Sequence, residues 1–525
     1  MYDTIIIGTG VGGLTAGLAL ARRDHSVLLL EAGKQFGGML NPFARKKYHF
    51  DVGVHYVGEA GPGQSMRRLL DWLGLEDMRF REISPDCIDR YVFDGYETRL
   101  VKGIDRWADV LAADFPREEP AIRRFMDLMR AAKAMARVMQ RGPRARDARK
   151  LLDALPFGAD LARLMYLPFS ALLERYFDDP LLRNAFAGPG GDIGLPPSRA
   201  SAFISMMLLA HYLGGAYYPI GGSGALRDAY VAGLRQRGAE LMRNQEVTRI
   251  VRMPGGHFEV HTNRGQCFSA RSVISNADAA LTMDMLEGTR ADAWTRRKVA
   301  RMEPSLGSFC LFMATDLDVT QHGITDANIW HYGANDIESF YNPVLAGQMP
   351  EQPFFFLTAP TLKDPDTVKA PAGHHTVELI TFAPSAMFKP WWDRPTMKRG
   401  AEYEQLKAGI RDRLLEGAER YIPGLRDHLI IEESASPATV WHFVRGREGG
   451  IYGPALTPEQ SLHRRVFSSV GVPGLYLAGA SVFGAGILSC MMSGAVAARS
   501  CGRHLTESRP LLAPVQQVLR LARGG

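Results

Sequence analysis

The chain has 525 residues, 46% hydrophobic and 22% charged, with 62 basic against 56 acidic side chains for a net charge of +6. That is too long for one ordinary core, so two intertwined domains of a folded soluble protein are expected. Its five cysteines, Cys87, Cys267, Cys310, Cys490 and Cys501, form no CxxC pair. This argues against a zinc ribbon or dithiol centre and fits a reducing compartment.

The first strand starts by Thr4, which leaves no room for a secretory leader, so a cytoplasmic location is expected. The run Thr4-Ile5-Ile6-Ile7 enters the turn Gly8-Thr9-Gly10-Val11-Gly12-Gly13, a helix follows, and Val27-Leu28-Leu29-Leu30 ends in Glu31. Strand, glycine turn, helix, strand and acid all fall within one βαβ-sized unit. Gly8 suits the tight turn, Gly10 a close approach to a pyrophosphate, and Gly13 the packing of helix on strand. The helix N-terminus then offers unsatisfied N–H groups to phosphates. Glu31 stands where a carboxylate reaches an adenosine ribose. A second glycine cluster follows at Ala32, Gly33, Gly37, Gly38 and Met39. It lets the backbone pass beneath a pyrophosphate or ribityl chain, which favours FAD over a plain nicotinamide.

Farther along, the periodicity predicts helices over 118–140 (Phe125, Met129, Ala132, Met135, Met139) and 161–177 (Leu164, Met165, Leu167, Phe169, Leu172, Tyr176, Phe177). With Met206, Met207 and Phe354, Phe355, Phe356, these stripes read as core packing or as a chamber for a long apolar molecule. Arg137, Arg141, Arg144, Arg146, Arg149 and Lys150 form a basic block, read either as a solvated loop or as a patch drawn to anionic lipid. No motif accompanies it that would suit nucleic acid. The stretches 200–226 and 470–498 lack formal charge, but their glycines and prolines fit strand–turn–helix units better than spanning helices. His211, in the first of them, reads as a satisfied buried histidine. Strand-like runs near 240–275 and at Leu475-Tyr476-Leu477 return to the pattern of the N-terminus, so one α/β nucleotide-binding domain is assembled from three distant pieces. No histidine/carboxylate spacing makes a persuasive metal site, so no metal is expected, and the absence of a GxSxG elbow or Cys-centred motif disfavours hydrolysis.

The motifs Gly8–Gly13, Gly37-Gly38, Phe50-Asp51-Val52-Gly53-Val54-His55-Tyr56-Val57-Gly58, Tyr218-Pro219-Ile220-Gly221-Gly222-Ser223-Gly224-Ala225-Leu226, Ile451-Tyr452-Gly453-Pro454 and Pro473–Gly479 span essentially the whole chain. In them it resembles the flavoprotein family of phytoene desaturases, carotenoid isomerases and retinol saturase, nearest to the retinol-saturase-like branch. The resemblance implies a Rossmann-like FAD domain of glutathione-reductase and monoamine-oxidase type, with an inserted α+β substrate domain. The expected division is 1–80, 221–295 and 465–510 for FAD, 81–220 and 296–464 for substrate, and 511–525 as a tail. The implied chemistry is desaturation, saturation or isomerisation of a carbon–carbon bond in an isoprenoid, carotenoid or retinoid. Alternatives are a fatty-acyl desaturase or isomerase of the same fold, an amine oxidase, and a flavin-bound lipid carrier without turnover.

The expected FAD contacts are Gly8, Gly10, Val11, Gly12, Gly13, Glu31, Ala32, Gly33, Gly37, Gly38, Met39, Val54, His55, Val247, Gly479, Ser481, Gly486, Ile487 and Leu488. Val247 reads equally as a sheet-core valine. Ser481 stands where retinol saturases usually place an acid. His55 is the first proton-transfer candidate, because imidazole titrates in the useful range. Tyr56 reads as orienting substrate or as an aromatic wall, and Arg445 and Tyr452 as anchoring a polar lipid terminus, modulating the flavin, or serving only a salt bridge and packing. A long apolar lipid, peripheral contact with the inner membrane face and an external electron donor or acceptor complete the expected partners.

Overall fold

The computed structural model describes residues 1–141 and 153–507. Most of the basic block (Arg144, Arg146, Arg149, Lys150) and the tail 511–525 lie outside the described residues, as do the side chains of Met139 and Arg141. The chain forms two compact units: Met1–Gly38 with Tyr230–Arg301 and Val466 onward, and Met39–Ala229 with Met302–Arg465.

The first unit is built on an eight-stranded sheet. Tyr2–Ile7 runs parallel between Val27–Leu30 and Cys267–Ser275, with Ile6 opposite Leu29 on one side and Ile274 on the other. Thr4–Ile7 and Val27–Leu30 are buried throughout, which is why they read as unbroken apolar runs. Leu475–Leu477 adds in parallel to Cys267–Ser275, and Phe258–Thr262 and Val247–Arg252 continue antiparallel beyond it. The helix Val11–Ala21 is buried along its whole length. The helix Ile487–Glu507 packs on it so closely that a Cβ on Gly494 would lie 2.2 Å from Gly12 O.

The second unit holds a seven-stranded mixed sheet. Its longest pairing sets Gly307–Thr315 against His375–Ala383, and Asn328–His331 runs parallel to Asp89–Phe93. One core joins Trp107, Phe125, Phe177 and Phe186 beneath the helices; Phe177 stacks on Phe186 at 4.7 Å. A second core closes the sheet against Ala401–Ala418 through Phe355, Leu357, Leu379, Ile410 and Leu414. Of the residues suggested for a chamber, Phe125, Met129, Ala132, Leu164, Leu172 and Met206 are fully buried in packed core.

The first segment of the nucleotide unit closes at Gly38, whereas the sequence suggests about residue 80. The reason is strand pairing: Val57–Gly58 and Phe80–Glu82 both pair with Ala216–Pro219. The hairpin Phe43–Arg45 and Tyr48–Phe50 stacks on Phe312, with Phe43 edge-on at 5.0 Å. The uncharged stretches resolve into Ala202–Tyr212, Ala216–Pro219 and the start of Gly222–Gln236, and into Leu475–Leu477 and part of Ile487–Glu507. Among the described residues no helix is long and apolar enough to cross a membrane.

Candidate active site

In the first unit the helix Val11–Ala21 begins at Gly10 with no side-chain cap and no acid in its first turn, so its N–H groups are left for a ligand. A Cβ on Gly13 would stand 2.2 Å from Gly8 O; one on Gly12 would stand 2.5 Å from Asn276 Oδ1 and 2.9 Å from Gly479 N. Only glycine fits at either position. Asn276 Oδ1 is shut off from solvent and has no hydrogen-bond partner among the described residues, an acceptor left open beside the cradle.

Glu31 is buried at the end of its strand, accepting from Thr9 N at 3.0 Å, Gly33 N at 2.8 Å and the Thr9 hydroxyl. A carboxylate offers about four lone-pair sites, so acceptor capacity for a ribose remains. The two glycine clusters do meet: a Cβ on Gly38 would lie 3.4 Å from Gly10 Cα, and Gly37 N donates to Thr9 Oγ1 at 3.0 Å. Ala32 lies exposed between them. Gly486, Ile487 and Leu488 open a second helix with no acid in its first turn. Gly479 N donates to Ser493 Oγ, and Val247 is a buried strand residue paired with Thr262. Ser481 Oγ, expected at the ribityl chain, accepts from Ala279 N at 3.2 Å at the start of a neighbouring helix and keeps its own O–H to donate. Met39, Val54 and His55 belong to the second unit.

That unit joins two motifs separated by more than 150 residues. Asp51 is buried and accepts from Ser223 N at 2.9 Å, Ser223 Oγ at 2.5 Å, Lys369 Nζ at 3.1 Å and the Tyr218 hydroxyl. Burial opposes its charge, but Lys369 and the hydrogen bonds from Ser223 and Tyr218 outweigh it, holding the carboxyl below its ordinary range. The segment so pinned carries His55 and Tyr56. His55 Nδ1 lies 3.0 Å from Glu378 Oε2, a fully buried carboxyl in the strand His375–Ala383. Burial raises the Glu378 carboxyl, and His55 opposes the rise.

Tyr56 stacks flat on Tyr212 at 4.4 Å, and its hydroxyl lies 3.1 Å from Asp192 Oδ2 and 3.3 Å from Asp89 Oδ2. Asp89 also accepts from Asn328 Nδ2 at 2.8 Å and from the Tyr91 hydroxyl at 3.3 Å. Lys363 Nζ donates to His55 O at 2.8 Å, to Thr358 Oγ1 at 2.6 Å and to Asn328 Oδ1. Burial pushes Asp192 up to about 7, with the Asp89 charge adding to the rise. Burial likewise takes Asp89 up to about 6 and Lys363 down to about 8. Two fully buried carboxyls, Asp89 and Glu378, and the half-buried Asp192 thus lie with Lys363 and His55. Burial opposes the ionised form of all three carboxyls, which disfavours full ionisation of the cluster.

Of the four residues singled out for chemistry, His55 and Tyr56 lie in this cluster. Tyr452 adjoins it: its hydroxyl donates to Gly191 O at 3.1 Å, one residue before Asp192. Arg445 does not join; it ends the helix Pro437–Val444, with its guanidinium 6.0 Å from the Trp441 ring. His211, read as a satisfied buried histidine, is half-buried: its Nε2 accepts from Gly58 N at 2.9 Å, and desolvation takes it down to about 4. Sequence reasoning missed Asp89, Asp192, Glu378, Lys363 and Asn276. Glu378 left a signal, a lone acid within Thr376-Val377-Glu378-Leu379-Ile380, where a buried strand has no ordinary use for charge.

An uncapped helix start over a glycine cradle, with a buried carboxylate beside it that keeps acceptor capacity, suits a dinucleotide in the first unit. The chain belongs to the flavin-containing amine oxidoreductase family, whose family model matches residues 11–501. Its cofactor is FAD, and the cradle of Gly10, Gly12 and Gly13 with the open Asn276 acceptor fits that group.

Relatives include the all-trans-retinol 13,14-reductase of Danio rerio, 24% identical over 95% of this chain and 85% of its own. Prolycopene isomerase 2 (chloroplastic) of an Oncidium hybrid cultivar is 27% identical over 96% of this chain and 84% of its own. These relatives place the chain in the retinol-saturase and carotenoid-isomerase branch. An oxidoreductase from Methanosarcina mazei matches with a TM-score of 0.63 at 15% identity, covering 94% of this chain and 98% of its own. A putrescine oxidase bound to putrescine matches at 0.61 and 15%, covering 96% and 98%. At such identities the two structures show the fold, an FAD-binding α/β unit with a second, mixed unit.

Proposed function

We propose that this flavoenzyme acts on carbon–carbon double bonds of a long apolar polyene of the retinoid or carotenoid class. The observation that carries the reading is near full-length similarity to a retinol reductase and a prolycopene isomerase. The enclosed proton store at Asp192 and Tyr56 gives that chemistry the group it needs.

Bound FAD supplies a reversible two-electron hydride carrier. The protein's part is to hold the polyene, exclude water and manage one proton. Saturation of a double bond needs one hydride and one proton; desaturation returns both; isomerisation consumes neither overall. Asp192 is the proton holder, partly accessible on the turn Gly188–Asp192, and Tyr56 steadies its Oδ2. Tyr56 itself stays protonated, because burial and the adjacent Asp192 and Asp89 carboxyls raise it well above the ordinary phenol range. Phe356 and Tyr212 flank the Tyr56 ring and keep bulk water from it. Such a ligand partitions into bilayers, so the reading includes contact with a membrane face and an external electron donor or acceptor.

The test is anaerobic turnover of the FAD-loaded protein with all-trans-retinol, phytoene and a poly-cis carotene, before and after chemical reduction, with product mass spectrometry. A mass change of two hydrogens coupled to a flavin spectral change supports redox chemistry; altered geometry at constant mass supports isomerisation. Unaltered polyenes alongside turnover of an amine or a fatty acyl substrate would overturn the reading.

A further inference from the structure

Three chemically different side chains meet on the outer face of a hairpin in the first unit. His261 on the strand Phe258–Thr262 is the register partner of Cys267 on Cys267–Ser275. Glu259 lies two residues before His261 and so on the same face of its strand. Burial alternates accordingly: Phe258, Val260 and Thr262 are buried, while Glu259 and His261 are half-buried and Cys267 is exposed. Cys267 Sγ lies 3.8 Å from His261 Nε2, and His261 Nε2 lies 3.7 Å from Glu259 Oε2. All three donor atoms fall within 4.8 Å of one another.

These separations match the edges of a coordination tetrahedron. Zinc bonds of about 2.3 Å to sulfur and about 2.0–2.2 Å to nitrogen or oxygen give donor–donor edges of roughly 3.3–3.6 Å. The two distances about His261 Nε2 are within a few tenths of an ångström of that, and the Cys267–Glu259 separation lies within 4.8 Å. The nearest cationic side chain is committed elsewhere: Arg249, beside His261 on the next strand, is held in a fork by Glu287 at 2.6 and 2.7 Å. A thiol, an imidazole and a carboxylate together form a donor set suited to a borderline divalent cation.

We propose that Glu259, His261 and Cys267 form a binding site for a divalent cation of the zinc class, with solvent completing the fourth position. On binding, the Cys267 S–H bond breaks, its proton passes to solvent, and the sulfur donates an electron pair to the metal. His261 Nε2 and a Glu259 oxygen donate the other two pairs, and no electron is transferred. Because the ligands come from both strands, the metal staples the hairpin.

The experiment is equilibrium dialysis of the FAD-loaded, full-length protein against Zn²⁺, with metal counted by mass spectrometry and its ligand shell read by X-ray absorption. One Zn²⁺ per chain with a single sulfur neighbour is expected. Cys267→Ser and His261→Gln should each weaken binding by more than about tenfold, since even outer partners of a ligand are worth that much. Cys87→Ser should leave it unchanged, and FAD retention verifies that each variant is folded. A sulfur-free shell, less than one metal per chain, or a Cys267→Ser affinity equal to that of the parent would overturn the proposal.

Discussion

The hydroxyl of Tyr56 stands 3.1 Å from Asp192 Oδ2, tying the segment after Asp51 to the turn Gly188–Asp192. The same hydroxyl is 3.3 Å from Asp89 Oδ2, yet it has one proton and can satisfy one carboxyl at a time. The other must find its own. Asp89 has Asn328 and Tyr91 as donors and Asp192 has Tyr212, but Asp192 is raised further, to about 7 against about 6, and is the one with surface from which to release a proton.

Replacing Asp192 by Asn keeps shape and removes the titrating proton. The polyene step should slow by roughly 10²–10⁴-fold, the span of general acid–base contributions, with FAD content unchanged. Tyr56→Phe preserves the stack on Tyr212 and should cost less, about tenfold. Rapid-mixing spectra of the flavin with substrate would measure both. If Asp192→Asn turns over at the parental rate, the proton comes from elsewhere.

Asp89 and Asp192 also set a pH signature. Their folded-state values, about 6 and about 7, stand above the ordinary 3.8, so folding favours their protonated forms. The associated stability is fully present below about pH 4 and drains away as pH rises to about 7. Lys363, lowered to about 8, works in a separate window: its burial penalty persists below 8 and is relieved between 8 and its ordinary 10.5. The Tm of the parent should therefore fall relative to Asp192→Asn between pH 4 and 7. Parallel Tm curves for the two proteins across that range would show that Asp192 is not proton-bearing.

How much of this was legible follows from how far each signal reaches along the chain. The βαβ start is local: the apolar run to Ile7, the glycine turn and Glu31 all fall within the first 31 residues. The paired motifs around Asp51 and Ser223 were visible as motifs, but the hydrogen bonds joining them were not. The proton cluster draws on Tyr56, Asp89, Asp192, Asn328, Lys363 and Glu378, each from a different element and most separated by tens of residues. A lone acid carries no periodicity that announces a distant partner. The boundary at Gly38 was hidden for the same reason, since the partner strand Ala216–Pro219 lies far along the chain.

Gly12→Ala tests the cradle. Its Cβ would fall 2.5 Å from Asn276 Oδ1 and 2.9 Å from Gly479 N, and the second contact is backbone that cannot swing aside. The helix start must shift, which carries an overpacking cost of about 1–3 kcal/mol and misaims the N–H groups. The purified variant should be folded by circular dichroism but depleted of flavin absorbance. Full flavin occupancy would mean that the phosphates do not rest on this turn.

The Asp51–Lys369 pair is the fastening for His55 and Tyr56, and its energetics separate stability from chemistry. Both side chains are nearly inaccessible, at 2% for Asp51 and 7% for Lys369, with 3.1 Å between Oδ2 and Nζ. Removing one partner strands a buried charge, so Lys369→Met should destabilise by about 3–5 kcal/mol. Asp51→Asn should cost about as much, because it leaves the Lys369 ammonium buried without its counter-charge and its NH2 replaces one of the two oxygens that accept from Ser223 and from Tyr218. The double variant removes both charges and should recover part of the Lys369→Met loss, a coupling visible in a denaturant-unfolding cycle. In that double variant Tyr56 is no longer pinned from Asp51, so kcat should drop although stability partly returns. Additive losses in the cycle would show that the two charges do not support each other, and that Ser223 and Tyr218 alone hold the segment.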